Sequence, residues 1–187
     1  MGRNGLRVVL LGLIGLVAVG AFLTGQRGLG LTPATDISTA STVRAEQCAG
    51  ASGVSVVIDF GALRPHAQTV ERCVQAPASI TGWQILKAAG FKVSGTELYP
   101  TGFVCRIDGQ PSEQIEKCAD TPLVSLGSWA YFYADERSGN TWVFSGAGAG
   151  MRKPSCGSVE GWRFVAAGES ATTPPVLAPK VQRCSIG

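Results

Sequence analysis

The stretch Thr81–Gly90, which reads Thr-Gly-Trp-Gln-Ile-Leu-Lys-Ala-Ala-Gly, decides the fold class because it carries a matched pair of helix start and stop signals. Thr81 is a favoured N-cap residue, and Gln84 three positions later completes a capping box. Gly90 supplies the left-handed residue that commonly ends a helix. A helix of about two turns is not stable by itself, so its apolar side chains must pack against another element.

Strand signals lie on both sides of this helix. Val54–Phe60 places its larger apolar residues at every second position, which predicts a half-buried strand. Further strands are predicted at Thr69–Val74, Phe91–Val93, Phe103–Ile107, Trp129–Ala134, Thr141–Ser145 and Gly161–Ala166. Asp108-Gly109 predicts a tight turn, and Asp135–Asn140 predicts a hairpin loop. One helix among many strands predicts an α+β fold with a β-grasp-like, mostly antiparallel sheet and the helix across it.

The N-terminus carries an export pattern. Met1–Arg7 holds two arginines and no acidic residue, and residues 8–26 are uncharged and mostly apolar. This pattern predicts a signal peptide or a signal-anchor helix over residues 1–23, with the N-terminus in the cytoplasm. The run is near the roughly 20 residues that span a bilayer, so cleavage and anchoring both stay open. The protein is therefore expected to be extracytoplasmic, either secreted or anchored to the plasma membrane.

Composition divides the rest of the chain into three parts. Residues 24–47 are rich in Gly, Thr, Ser and Ala and predict a linker. Residues 48–166 form the expected extracytoplasmic domain, and residues 167–187 form a Pro-containing tail. The chain holds 16 basic and 13 acidic residues. Four of the basic and one of the acidic residues precede residue 46, so the remainder is neutral and nucleic acid is not an expected partner.

Six cysteines follow the export signal, and no two of them form a Cys-x-x-Cys pair. An even count in an oxidising compartment predicts three disulfides, and the spacing disfavours a zinc or redox site. Six cysteines allow 15 pairings, of which we expect neighbour-to-neighbour pairing. The predicted bridges are Cys48–Cys73, Cys105–Cys118 and Cys156–Cys184. The last of these would hold the tail through Cys184.

Aromatic residues provide the candidate ligand-binding site. Trp129, Tyr131 and Tyr133 fall on one face of a predicted strand, and Trp142 lies on the strand that follows it. Such rings can stack on a planar ligand, with the tyrosine hydroxyls giving direction, or they can be the core beneath the helix. Trp162 and Arg163 can form a clamp for an anionic or aromatic ligand, or pack at an edge strand.

Sequence motifs for catalysis and metal binding are weak. The glycine-rich segment Ser145–Gly150 has no phosphate-loop spacing, so it predicts a loop that can act as a lid. His66 is the single histidine and lies in a predicted loop, with no nucleophile elbow elsewhere. The carboxylates Asp108, Glu113, Glu116 and Asp120 lack the spacing of a calcium loop, and Asp59 with Asp135 and Glu136 would form a glycosidase pair only if folding joined them. We expect no catalytic residue, no metal and no cofactor.

Three stretches occur together: Thr81–Gly90, Phe103–Pro111 with its Ile-Asp-Gly turn, and Trp129–Tyr133, which reads Trp-Ala-Tyr-Phe-Tyr. In this order they resemble the transcobalamin C-terminal-like domain, which has a β-grasp-like fold. Trp142–Ser145 and Gly157–Phe164 are similar to stretches in a group of secreted actinobacterial proteins, some encoded beside energy-coupling-factor-type vitamin or cobalt transporters. The resemblance covers about residues 48–166. The resemblance does not extend to the helical domain with which transcobalamin encloses its ligand.

The resemblance implies an extracytoplasmic binding module linked to the uptake of cobalamin or another nutrient. Its expected partners are a cobalamin-like small molecule, a transporter component of the envelope and, through an uncleaved N-terminal helix, the membrane. The alternative is a structural or adhesion module of the cell envelope without a small-molecule site. Neither function is enzymatic.

Overall fold

A computed structural model describes residues 43–50, 52–64, 69–75 and 79–184. All of these residues belong to one compact unit. The predicted N-terminal helix, most of the predicted linker and His66 lie outside the described residues. Within the described residues, no helix has both the length and the hydropathy that a membrane span requires.

Eight strands and one α-helix make up the described part of the chain. The helix α1 is Gly82–Ala88, and two 3-10 turns lie at Gly61–Leu63 and Val124–Leu126. The strands are β1 (Val43–Arg44), β2 (Val54–Asp59), β3 (Val70–Val74), β4 (Val93–Ser94), β5 (Arg106–Ile107), β6 (Ser128–Ala134), β7 (Val143–Phe144) and β8 (Val159–Val165). The sheet therefore begins at Val43, within the segment that composition assigned to the linker.

Six strands form the main sheet, in the order β1-β3-β2-β8-β6-β7, and β4 pairs with β5 in a separate ribbon. The pair β2–β8 is parallel and the other pairs are antiparallel. The register sets Ile58 beside Trp162 and Trp162 beside Tyr131. The prediction of an α+β fold with one short helix and a mostly antiparallel sheet is confirmed.

Local signals around the helix are confirmed. Thr81 is the N-cap, and its hydroxyl accepts from the Gln84 amide while the Gln84 side chain accepts from the Thr81 amide. Gly90 has a φ of 88°, the left-handed conformation expected after the helix end. Trp83, Ile85 and Leu86 are buried in the main core against the sheet, which gives the short helix its stability.

The prediction that β2 is half-buried is wrong, because both of its faces are buried. β2 and β8 lie at the centre of the sheet, so β8 is not an edge strand either. Val56 and Ile58 pack in the core that contains the helix residues. Val57 packs on the opposite face with Leu177 and Val181 of the tail, so the sheet is covered on both sides.

Three disulfides pair the cysteines as neighbours: Cys48–Cys73, Cys105–Cys118 and Cys156–Cys184. The predicted pairing is therefore confirmed, and no free cysteine remains. Disulfides of this number indicate an extracellular or otherwise oxidising environment.

The tail has an ordered path over the second face of the sheet. The Val176 amide donates to Asp59 Oδ2, and the Trp142 indole donates to the Leu177 carbonyl. Gln47 holds the next turn of the tail by donating to the Ala178 carbonyl and accepting from the Lys180 amide. These bonds satisfy tail backbone groups that a Pro-containing segment cannot satisfy within itself.

Candidate ligand-binding site

Four aromatic side chains of β6 and β8 form a group of two contacting pairs on the helix-facing side of the sheet. Tyr131 and Trp162 stack with their ring centroids 4.6 Å apart and their planes at 15°. Trp129 meets Phe164 edge-on at 5.8 Å, and its indole donates to the Gln110 carbonyl. Since adjacent strands place these rings in register, the group is a consequence of the β6–β8 pairing.

A pocket of about 230 Å³ opens beside this group. It lies at an edge of the sheet. The short strand β7 pairs only with Phe132 and Tyr133, so the first half of β6 has no strand partner on that side. The pocket can therefore be lined by residues from both faces of β6. Its lining residues are Gly102, Phe103, Val104, Thr121, Pro122, Ser128, Trp129, Ala130, Tyr131, Phe144, Gly148, Ala149, Trp162 and Ala171.

Two phenylalanines at the pocket are accessible to solvent. Phe103 is 41% exposed and Phe144 is 44% exposed, although both line the cavity. No ionisable carboxylate, amine or guanidinium is among the lining residues. The pocket is therefore an apolar, uncharged recess of the kind that accepts an apolar group from a ligand.

The glycine-rich segment predicted as a loop forms one wall of the pocket through Gly148 and Ala149. A Cβ at Gly148 would lie 2.6 Å from the Gly102 carbonyl oxygen, and one at Gly150 would lie 2.3 Å from the Thr101 carbonyl oxygen. The glycines therefore allow two backbone segments to pack together. The Ala149 carbonyl accepts from the Trp83 amide, which ties this wall to the start of α1.

A buried polar cluster lies behind Tyr131. The Tyr131 hydroxyl donates to Glu160 Oε2 at 2.5 Å, and Arg152 Nε donates to the same oxygen at 3.1 Å. The Ser158 hydroxyl donates to Glu160 Oε1 at 3.0 Å. Burial raises the pKa of Glu160, against the lowering effect of Arg152. Burial and the neighbouring Glu160 carboxyl raise the pKa of Tyr131 well above 10.0, so the phenol stays a donor.

The structure separates the six aromatic and basic residues predicted to bind ligand. Trp129, Tyr131 and Trp162 line the pocket. Tyr133 lies outside it, with the Arg152 guanidinium 3.5 Å from its ring centroid. Trp142 packs against the tail on the other face of the sheet.

Arg163 also lies away from the pocket and forms no clamp with Trp162. Its guanidinium donates to Asp59 at 2.6 Å and to Glu169 at 2.8 Å. Adjacent residues of a strand point to opposite faces, which separates the two side chains. Phe103 and Phe144 line the pocket but were not among the six predicted binding residues, although Phe144 shares a predicted strand with Trp142 and Phe103 begins a predicted strand of its own.

Four of the carboxylates considered for metal binding or hydrolysis have structural partners. Asp108 accepts from the Lys92 amide, and Glu116 accepts from the Cys118 amide. Asp59 pairs with Arg163, and Asp135 accepts from the Arg137 amide in its own loop. Among the described residues, no group of three or more potential ligands could hold a metal ion.

Comparison with known proteins found no matching family model, no matching curated protein and no matching solved structure. The site is therefore interpreted from its geometry.

Proposed function

We propose that this domain is a non-enzymatic binding module that takes a small, apolar, planar ligand into the pocket beside Trp129. The observation that carries the proposal is the pocket itself: an uncharged recess lined by Trp129, Tyr131 and Trp162 and flanked by the exposed rings of Phe103 and Phe144. Apolar concave sites with a few polar groups are the usual form of a small-molecule site.

We also propose that the fold is β-grasp-like. The hairpin β2–β3, then the helix, then the hairpin β6–β7 precede β8, which returns beside β2 at the centre of the sheet. This order supports the description. It also supports the resemblance to the transcobalamin C-terminal-like domain, since the helix, the Asp108-Gly109 turn and strand β6 occur in the expected order.

In this proposal the module works outside the cytoplasm, secreted or anchored, in association with nutrient uptake and a transporter component, as the resemblance implies. The three disulfides support the compartment. The pocket volume of about 230 Å³ is below the roughly 300–1,000 Å³ of sites for drug-sized ligands, so a cobalamin could contact only the rim. The enclosed ligand, or enclosed part of a ligand, is therefore one or two rings in size.

The second candidate is a structural or adhesion module of the envelope. Trp129 and Tyr131 are less than a tenth exposed and Trp162 is fully buried, so all three rings also serve as core. In that function the recess would bind nothing.

A paired substitution tests the proposal. Thr121 is exposed and lines the pocket, whereas Thr141 is exposed and lies in the β6–β7 loop away from it. The exported, oxidised protein is screened by ligand-observed NMR against one- and two-ring aromatic compounds and cobalamins, and the affinity of each hit is measured by calorimetry. Thr121→Phe should weaken binding at least about tenfold, which corresponds to roughly 1.4 kcal/mol, and Thr141→Phe should leave it unchanged. Absence of binding across the panel would favour the structural module.

A further inference from the structure

The three disulfides differ in their exposure to solvent. The cysteines of the bridges Cys48–Cys73 and Cys105–Cys118 are at most 4% exposed. In the third bridge, Cys156 is exposed and Cys184 is half-buried. Cys156 also lines two separate recesses of the surface. Exposed disulfides are more easily reduced than buried ones, and regulatory bridges belong to this exposed class.

Positive side chains lie beside the exposed bridge. Lys153 is exposed and lines both of the recesses that Cys156 lines. Arg183, which is also exposed, directly precedes Cys184. The charged residues of one recess, three of them basic, are Asp135, Glu136, Arg137, Arg152 and Lys153. In thiol–disulfide exchange both the attacking and the leaving group are thiolates, so these cations favour the reaction at this bridge.

The bridge holds a tail that covers the second face of the sheet. Leu177 and Val181 of the tail pack in the cluster that contains Val57, and the Trp142 indole donates to the Leu177 carbonyl. Residues 172–184 contain no strand or helix, so single hydrogen bonds and these apolar contacts are the other attachments of the tail. Segments held in this way open at a low free energy once a crosslink is removed.

We propose that Cys156–Cys184 is a site of reversible thiol–disulfide exchange with a dithiol, of the kind that thiol oxidoreductases carry, and that its reduction releases the tail. A thiolate of the dithiol attacks Sγ of Cys156, the Sγ–Sγ bond breaks, and its electron pair remains on Cys184 Sγ. The second thiol of the dithiol then attacks the mixed disulfide and releases Cys156. The dithiol leaves as a disulfide, and its two thiol hydrogens are replaced on the two cysteines through water.

Release of the tail would uncover the apolar second face of the sheet at Val57 and Trp142. This site shares no lining residue with the pocket beside Trp129, so it is independent of the proposed ligand binding.

Graded reduction of the exported, oxidised protein with dithiothreitol tests the selectivity. New thiols are alkylated at intervals under non-denaturing conditions and located by mass spectrometry. Cys156 and Cys184 should be labelled at least about tenfold faster than the other four cysteines, because buried bridges are protected until the domain opens. Equal rates for all three bridges, or earlier labelling of another bridge, would overturn the proposal.

A pair of lysine substitutions tests the contribution of charge. Lys153→Gln should slow reduction of this bridge about two- to fivefold, since it removes a surface cation that attracts the thiolate. Lys92→Gln, which removes an exposed lysine that lines neither recess, should leave the rate unchanged. Equal rates in the two variants would overturn the role of Lys153.

Trypsin cleavage after Lys180 measures release of the tail. In the oxidised protein the Lys180 and Val181 amides donate to Gln47 and Asn140, so cleavage there requires local opening. The selectively reduced and alkylated protein should be cleaved at this bond at least about tenfold faster than the oxidised protein. The double variant Cys156→Ser, Cys184→Ser, which carries no alkyl group, should behave in the same way. Unchanged cleavage in both would overturn release of the tail.

Discussion

At the scale of single residues, the position of the Tyr131 ring in the pocket depends on Glu160, which does not itself line the pocket. Glu160 is completely buried, and it orients Tyr131 by accepting its hydroxyl hydrogen and neutralises Arg152 through an ion pair. A buried carboxylate is tolerated only where hydrogen bonds and a counter-charge replace its hydration. Glu160 therefore fixes the ring of Tyr131, and with it the stacked ring of Trp162.

Substitution of Glu160 should change the pH dependence of stability. Burial holds the pKa of Glu160 in the folded protein above its ordinary value of 4.5. A raised pKa in the folded state means that this group contributes stability in full below pH 4.5 and loses that contribution as pH rises through the folded pKa. As pH rises across that window, the free energy of unfolding of the original protein should therefore fall relative to that of Glu160→Gln. Urea unfolding at several pH values measures it.

A flat difference across that window would contradict the raised pKa. Ser158→Ala is the matched control, because it removes one hydrogen bond to the same carboxyl and leaves the titrating group in place. It should lower stability while the pH dependence persists.

At the scale of elements, the glycine-rich segment is a packed wall rather than a phosphate-binding loop. Its carbonyl at Ala149 and the following carbonyl of Arg152 accept from the first amides of α1, at Trp83 and Gly82. These amides have no partner within a helix, so the segment caps the helix end. The helix, this wall and the pocket are therefore mechanically connected.

Two glycines of this wall should respond differently to substitution. Gly150→Ala would place a Cβ 2.3 Å from the Thr101 carbonyl oxygen, so the two backbone segments must separate. Overpacking of this kind costs about 1–3 kcal/mol and should also widen the pocket. Gly146→Ala is the control, because nothing lies within 4 Å of its Cβ position. Thermal unfolding of both variants measures the difference, and equal midpoints would contradict the close packing.

The tail is a second element whose attachment can be tested. Replacement of Cys156 and Cys184 by serine opens a loop with a sequence separation of 28 residues. Loss of such a crosslink costs about 3 kcal/mol through the entropy of the unfolded chain. Hydrogen exchange should then accelerate at the Val176 and Val181 amides, which bond to Asp59 and Asn140. Unchanged exchange at both amides would show that the hydrogen bonds alone hold the tail.

Acidic pH should weaken the attachment of the tail through Glu169, which accepts a hydrogen bond from Arg163. Burial acts to raise the pKa of Glu169, but the hydrogen bonds from Arg163 and the Ala166 amide, together with the charge of Arg163, outweigh it and hold that pKa below 4.5. A lowered pKa in the folded state contributes stability above pH 4.5, and this contribution is lost as pH falls through the folded pKa. Glu169→Gln should therefore remove part of the loss of stability below pH 4.5, measured by urea unfolding. An identical acid limb in both proteins would contradict this.

At the scale of the whole molecule, sequence reasoning succeeded where the signal was local. The capping box of Thr81 and Gln84, the turn at Asp108-Gly109 and the pairing of neighbouring cysteines all depend on short separations. The parallel pairing of β2 with β8 joins residues about a hundred positions apart, and no local pattern specifies it. The half-buried prediction for β2 is wrong for a similar reason, because the distant tail covers the second face of this strand, with Leu177 and Val181 packed against Val57.

The candidate site was predictable in part for the same reason. The alternation of strand residues places Trp129 and Tyr131 on one face, and the structure brings both to the pocket. The same alternation, applied to Trp162 and Arg163, would have separated them. The contribution of Phe103 and Phe144 depends on where β7 ends and on how the loops close over β6, which the sequence alone does not specify.

The proposed function depends on the binding of a small planar ligand in the recess beside Trp129. The most direct measurement is a set of intermolecular nuclear Overhauser effects between a bound two-ring probe, such as quinoline, and the protein. Contacts are expected from the probe to the rings of Phe103, Trp129 and Phe144, which line the recess. Contacts confined to other parts of the surface, or none at saturating probe, would contradict it.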